Sequence, residues 1–261
     1  MEKGVPIRTV SRSIAVLRLI NRQNAVTLME IARATHLPYP TAYRIVQTLL
    51  HEGLLECETT RKRYRVTGKV RQLSEGYCDQ DDLVTLARPF ITALTLRTQW
   101  PVTVSIGIGS AVMIRDSTYE MSALSFNRYP PGYTLGLLDC AAGHVHLACM
   151  ADDERGQLLD VLAEQEGETE ALRAFRMPQR SADIRAMGFT LHERSTCTAN
   201  PGKTSSLAAP ILLDGAEHAQ LTLSYFSAEL QREQAIERYA EPLMACAAEI
   251  SAALPTLRRE G

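Results

Sequence analysis

Nowhere is the chain continuously apolar over the roughly 18 residues that a membrane-spanning helix requires, so no membrane span is expected. The cysteines at 57, 78, 140, 149, 197 and 246 include no CxxC pair, and no charged n-region with an apolar h-region and cleavage site precedes them. Both absences fit a protein of the reducing cytoplasm. Enzyme motifs are missing as well: there is no GxSxG, GxGxxG, P-loop or HExxH. Gly107-Ile108-Gly109 lacks the third glycine of a dinucleotide loop and reads as a hairpin turn. Nothing selects a catalytic role for Cys140 or Cys197 with a distant histidine, so neither enzymatic activity nor a cofactor is expected.

What is present is a globular composition, 45% hydrophobic over 261 residues, long enough for one or two domains with proper cores. The net charge of −2 conceals an asymmetry. Residues 1–80 hold 13 Lys/Arg against 7 Asp/Glu, a net of +6, which leaves 15 against 23, a net of −8, for residues 81–261. A basic head on an acidic body places nucleic acid at the head alone.

The stretch Thr27–Val66 reads as helix, tight turn, helix and two-stranded hairpin, the plan of a winged helix-turn-helix. Thr27 and Glu30 have capping-box spacing, and Leu28, Ile31, Ala32 and Thr35 follow helical periodicity. Leu37 is buried in the turn, and Pro38 and Pro40 suit the start of a second helix, which Gly53 ends. That helix sets Ala42, Ile45, Val46, Leu49 and Leu50 on one face. Tyr39, Thr41, Tyr43, Arg44, Gln47 and Thr48 lie off it, residue types that reach base edges and phosphates. Leu54–Glu58 and Tyr64–Val66 read as strands, with Arg61, Lys62 and Arg63 at the tip of a phosphate-binding wing.

The run from Ala32 through Leu49, followed by Glu52-Gly53-Leu54-Leu55, resembles the DNA-binding domain of the IclR family of bacterial transcriptional regulators. Lys69–Tyr77, Trp100-Pro101 and Leu137–Gly143 extend the likeness, in particular to members that control phenylpropionate catabolism. The resemblance implies double-stranded operator DNA as partner, a homodimer or tetramer, and RNA polymerase as a further contact. It also implies a GAF-like C-terminal domain that binds a small carboxylic acid, an aromatic one foremost.

Elsewhere, Val10, Ile14, Leu17, Leu19 and Ile20 give a first helix with Ser11 and Ser13 near its start. Lys69–Tyr77 reads as a linker helix, and a second follows from about Asp81 through Leu83, Leu86, Ala87, Phe90, Ile91, Leu94 and Leu96. Their stripes suit either a homodimer contact or packing on the chain's own second domain. Val102–Ile108 and Ala111–Arg115 form a hairpin, Ser122–Phe126 and Gly132–Leu137 are extended, and Asp139–Ala151 is helical. Asp153–Glu164 and Ala171–Phe175 are helices, Ser181 caps another to Met187, and Phe189–His192 is a strand. A hairpin of 204–213 and 219–226 turns at Asp214-Gly215, and Gln231–Ala253 closes the chain on Ala235, Ile236, Tyr239, Leu243, Ala247, Ile250 and Leu254.

The expected class is therefore α+β: a winged helix-turn-helix domain over residues 1–68, a helical linker and dimerisation segment over 69–99, and an effector-binding domain over 100–261. The turn into the Asp139–Ala151 helix offers free N–H groups and the positive end of a helix dipole to a carboxylate, with Cys140, Ala141 and Ala142 at the site. Met113, Leu135, Leu223 and Ser224 are the candidate walls, Ser224 matching a pocket position in the resemblance. Cys140 and His144, four apart, have the spacing of two ligands on one helix face, with His146, Cys149 or His192 as further ligands. Buried cysteine and satisfied histidine are the commoner outcome, so no metal is assigned. A metal or thiol sensor, or an enzyme with a DNA-binding appendage, is the rival class.

Overall fold

The computed structural model describes residues 7–23, 25–58, 62–74, 82–122, 129–193 and 203–257. The chain forms two compact units, residues 1–80 and 81–261.

In the first unit, α1 (Arg8–Gln23), α2 (Leu28–Ala34) and α3 (Tyr39–His51) pack with a small antiparallel sheet of β1 (Val26–Thr27), β2 (Leu55–Glu58) and β3 (Arg63–Val66) in the order β1-β3-β2. The capping box forms at α2: the Thr27 N–H donates to the Glu30 carboxylate at 2.7 Å and the Glu30 N–H to the Thr27 hydroxyl at 3.3 Å. These bonds hold the Glu30 carboxyl below the usual carboxylate range. At the end of α3 the Gly53 N–H reaches Leu50 O and the Leu54 N–H reaches Leu49 O, both at 2.9 Å. This double closure needs a left-handed residue, and Gly53 supplies φ of +70°. Lys69 Nζ adds a bond to Glu52 O at 2.8 Å.

The unit's core joins Val16, Ile20, Ile31, Ala42, Ile45, Val46, Leu49 and Tyr64, with Leu37 and Leu50 partly buried against it. The face expected of α1 is corrected in part: Ile20 is buried as expected, with Leu17 and Leu19 partly buried, but Val10 and Ile14 are 52% and 47% exposed, and Val16, not among the expected residues, is buried. Only the last two turns of α1 reach the core, so the apolar residues of its first turns have nothing to cover them within the unit. The helix expected over Lys69–Tyr77 is a 3-10 helix at Gly68–Ser74, and residues 75–77 lie outside those described.

The second unit is built on a six-stranded antiparallel sheet in the order β6-β5-β4-β9-β8-β7. Its strands are β4 (Val102–Ile108), β5 (Ala111–Ser117), β6 (Thr134–Gly136), β7 (Thr190–Glu193), β8 (Thr204–Leu213) and β9 (Ala216–Phe226). Asp214 and Gly215, at φ of +53° and +80°, make the tight turn between β8 and β9, the conformation that matches strand twist. On one face α4 (Asp82–Thr98) and α9 (Arg232–Leu257) cover Val102, Val104, Leu207, Leu221, Leu223 and Tyr225. The stripe of α4, Leu83, Ala87, Ile91 and Leu94, belongs to this core and is covered by the chain itself.

The other face carries α5 (Ala141–Cys149), backed by α6 (Asp152–Glu166), α7 (Glu170–Arg176) and α8 (Pro178–Met187) through Leu159, Leu162, Leu172, Phe175 and Ile184. Ser181 does not cap its helix: Pro178 opens α8 and Ser181 is buried inside it. Of the extended segment expected at Ser122–Phe126, residues 123–126 lie outside those described.

Candidate nucleic-acid interface and ligand pocket

Because α3 buries one side in the core, its other side faces solvent as a set. Tyr39 and Tyr43 are 51% and 47% exposed, Arg44, Gln47 and Thr48 are exposed, and Thr41 is half-buried. The face carries aromatic hydroxyls, an amide and a guanidinium with no acidic residue among them. Lys62 occupies the tip of the β2–β3 hairpin in a left-handed conformation, φ +48°, with its side chain exposed. Arg63 is placed differently from a tip residue: its guanidinium donates to Ala25 O at 3.0 Å and ties β3 to the start of β1. Arg61 lies outside the described residues. Arg65, which the sequence did not single out, is exposed on β3 and paired with Glu56. Its signal was alternation, since it follows Tyr64, which points into the core.

In the second unit a cavity with ≈ 20 Å³ of free space lies between the sheet and the start of α5. Leu135, Cys140, Ala142 and Ser224, four of the expected residues, line it. Thr103, Ile114, Tyr129, Ser206 and Thr222 line it too and were missed. Register explains the grouping: Thr103 lies opposite Thr222, and Ser206 opposite Ser224, so the sheet offers a floor of hydroxyls. The Thr222 Oγ1 is buried with no hydrogen-bond partner.

Leu223 and Met113 are corrections. Neighbours on a strand point to opposite faces, so Leu223 enters the α4–α9 core while Thr222 and Ser224 face the cavity. Met113 pairs with Ile106, which packs on that same core, whereas Ile114 turns to the cavity. Ala141 is also turned away, packed with Val145 and Ala208. Its backbone still belongs to the first turn of α5, whose N–H groups have no partners within the helix.

Cys140 is the N-cap of α5, its sulfur accepting from the Gly143 N–H at 3.3 Å. Gly143 is there because the helix runs against the preceding turn, and a Cβ would stand 2.2 Å from Leu137 O. His144 is engaged elsewhere: its Nε2–H donates to Leu138 O at 3.1 Å, and its ring packs edge-on to Phe175 and His192 at 5.0 and 4.9 Å. Burial, with His192 and Arg180 nearby, lowers the His144 pKa to about 3 and keeps the ring neutral. His146 Nδ1 lies 3.1 Å from Glu217, whose carboxylate also accepts from Gln220. Burial pushes the Cys149 thiol up to about 11. Cys140, His144 and His146 thus each have hydrogen-bond partners within the fold. Among the described residues no group of three or more His, Cys, Asp or Glu is placed to hold a metal ion.

With this geometry in hand, known proteins provide a comparison. Residues 9–58 match the model of the IclR helix-turn-helix domain. The chain is 26% identical over 222 residues to the HTH-type transcriptional regulator BhcR of Paracoccus denitrificans, covering 84% of this chain and 77% of that protein. An IclR family transcriptional regulator from Brucella abortus superposes with a TM-score of 0.71 at 22% identity, over 97% of this chain and 94% of its own. An IclR homologue from Microbacterium hydrocarbonoxydans, complexed with 4-hydroxybenzoate, gives 0.67 at 19% identity, over 95% and 99%. At such identities the superpositions establish the fold: an N-terminal helix-turn-helix and a C-terminal α+β domain.

Proposed function

We propose that this chain is a transcriptional regulator of the IclR family, as its matches to the IclR helix-turn-helix domain and to BhcR support, and that it reads operator DNA with α3 and the wing and answers to a small carboxylic acid held at the start of α5. Its relative BhcR is an HTH-type transcriptional regulator. The observation that carries the DNA reading is the outward face of α3, where Tyr43, Arg44 and Gln47 stand exposed on a helix whose opposite side is fixed in the core. Arg44 suits bidentate bonding to guanine and Lys62 suits a phosphate. In this reading residues 1–68 bind DNA, 69–99 connect and dimerise, and 100–261 sense the effector. The assembly is a homodimer or tetramer in the cytoplasm, controlling a catabolic operon through operator affinity or polymerase recruitment.

Two features support the effector site: the N–H groups of Ala141 and Ala142 in the first turn of α5, which have no partners within the helix, and the unpartnered Thr222 hydroxyl within the cavity. A carboxylate at a helix N-terminus needs no cationic side chain. The 4-hydroxybenzoate held by the Microbacterium homologue favours an aromatic acid. A free space of ≈ 20 Å³ holds little more than a water, so an aromatic body enters only as the Leu135 and Ile114 side of the cavity moves outward.

Calorimetry with 4-hydroxybenzoate and 3-phenylpropionate tests this reading, using their uncharged amides as controls and Ala142→Leu as the blocked variant. The acid should bind the wild type, the amide at least tenfold more weakly, and Ala142→Leu should lose the acid while keeping operator affinity. Equal affinity for acid and amide, or an Ala142→Leu variant that binds like wild type, removes the site.

A further inference from the structure

A polar track crosses the sheet beneath α5. It starts at the cavity, where Thr103 on β4 lies opposite Thr222 on β9, and one step further along the same face Ser105 lies opposite Gln220. The Ser105 hydroxyl donates to Gln220 Oε1 at 2.9 Å, and Gln220 Nε2 donates to Glu217 on the same strand. The register shift between Ile211 and Leu212 on β8 brings Glu217 onto this face, three residues from Gln220. The Glu217 carboxylate accepts from His146 Nδ1 at 3.1 Å, and the His146 ring lies on Gly107 of β4 so closely that no Cβ would fit there. The Glu217 side chain is 9% exposed and that of His146 18%. One helix thus spans the track, with its first turn at the cavity and His146, five residues after Ala141, over the buried carboxylate.

A proton on His146 turns its bond to Glu217 into an ion pair and cancels the charge of the carboxylate. Most other groups around α5 hold a fixed charge near neutral pH. Burial keeps the His144 ring neutral, with a pKa of about 3, and the Cys149 thiol, raised to about 11, stays protonated. On α8, Arg185 donates to Ala148 O at 2.7 Å and Arg180 stands near His144. On β5 are Arg115 and Asp116, the latter paired with Arg88. Neither β4 nor β8 contains a titratable residue. Two further histidines remain: His192 on β7, packed against His144, and His218 on β9, which is exposed. Histidine is the side chain that changes charge in this range, and His146 is the histidine bonded to Glu217.

We propose that effector binding is coupled to a proton held between His146 and Glu217, so that the chain binds its acid more tightly as pH falls through neutrality. The coupling rests on the effector site proposed above. At a helical rise of about 1.5 Å per residue, a carboxylate at the first turn of α5 stands about 10–12 Å from the His146 and Glu217 pair. With His146 neutral, the ligand adds a second negative charge to a region that already holds one. With His146 protonated, the charge of Glu217 is answered and the repulsion is relieved. At an effective dielectric of about 20, charges at this separation shift each other's equilibria by about tenfold, and the partial exposure of His146 reduces this to about three- to tenfold. The linkage is reciprocal: the acid favours the proton as much as the proton favours the acid. One effector concentration then gives a stronger response at lower pH.

The test is calorimetry of 4-hydroxybenzoate and 3-phenylpropionate with the full chain from about pH 6 to about pH 8, a range in which both acids stay ionised. Repeating each titration in two buffers of different ionisation enthalpy reads proton uptake beside affinity. Wild type should bind about three- to tenfold more tightly at the acid end and take up a fraction of a proton. His146→Gln should bind at the weaker, alkaline level throughout and take up none. Glu217→Gln, which lacks the buried negative charge, should bind more tightly than wild type at the alkaline end, whereas a merely structural role would weaken both variants at every pH. His218→Gln should keep the wild-type profile. A wild-type affinity that does not change with pH, without proton uptake, overturns the coupling and leaves the effector site standing. Uptake that survives His146→Gln, or a Glu217→Gln variant that binds no more tightly than wild type at the alkaline end, overturns it as well. Absence of binding by either acid at every pH removes the effector site and the coupling with it.

Discussion

Gly143→Ala should destabilise the second unit, and the structure sets the scale of the effect. The added Cβ would stand 2.2 Å from Leu137 O and 2.5 Å from Leu137 Cα, against an ordinary contact of about 3.5 Å or more. Both neighbours are backbone, so no rotamer change relieves the clash, and either α5 or the turn before it must move by about 1 Å. Forcing an extra carbon into a packed site costs about 1–3 kcal/mol. Spread over a unit of 181 residues, 81–261, that corresponds to a fall in melting temperature of about 2–12 °C. Gly156→Ala is the control: nothing lies within 4 Å of a Cβ at this position inside α6. There the substitution should stabilise by about 0.4–1 kcal/mol through the unfolded chain. Differential scanning calorimetry of the two variants beside wild type reads both signs. A Gly143→Ala transition at the wild-type temperature, or an equal fall for both variants, would refute the packing argument.

Three further outcomes are expected. Thr27→Ala removes the hydroxyl that caps α2 and should cost the head about 1 kcal/mol in urea denaturation; an unchanged midpoint speaks against the cap. Lys62→Ala should weaken all DNA sequences alike and lower the salt slope by about one, and a sequence-dependent loss would contradict its placement at a phosphate. His144 has a folded pKa of about 3 against 6.5 for the free side chain. Between those values the unfolded chain binds the extra proton, so stability falls as pH drops from 6.5 toward 3, by up to about 1.4 kcal/mol per pH unit. His144→Leu should flatten that part of the urea-midpoint profile, and a profile identical to wild type would show that the ring is not held neutral.

The helix-turn-helix was legible because its signals are local. Thr27 and Glu30 are three residues apart, Pro38 and Pro40 mark a helix start, and Gly53 occupies a position that favours glycine. What failed was set by partners distant in the chain. Helical spacing identified α1, but only tertiary packing decides that Val16 and Ile20 are covered while Val10 and Ile14 are not. Strand alternation places Leu223 and Ser224 on opposite faces, yet which face meets α5 depends on sheet order and on register shifts such as that at Val104/Ser105. The hydroxyl floor of Thr103, Ser206 and Thr222 comes from three strands whose pairing no short motif encodes. Arg63 looked like a tip residue until the Ala25 carbonyl, just before β1, gave its guanidinium a partner.

The central claim, sequence-specific DNA reading by the exposed face of α3, is tested most directly by selecting bound duplexes from a random pool with wild-type protein and with Arg44→Ala. Wild type should enrich a motif of two related half-sites. Arg44→Ala should relax the preference at one position of each half-site, at a cost of about 1–3 kcal/mol. A pool that wild type leaves unenriched, or an enriched motif that Arg44→Ala leaves unchanged at every position, contradicts the account.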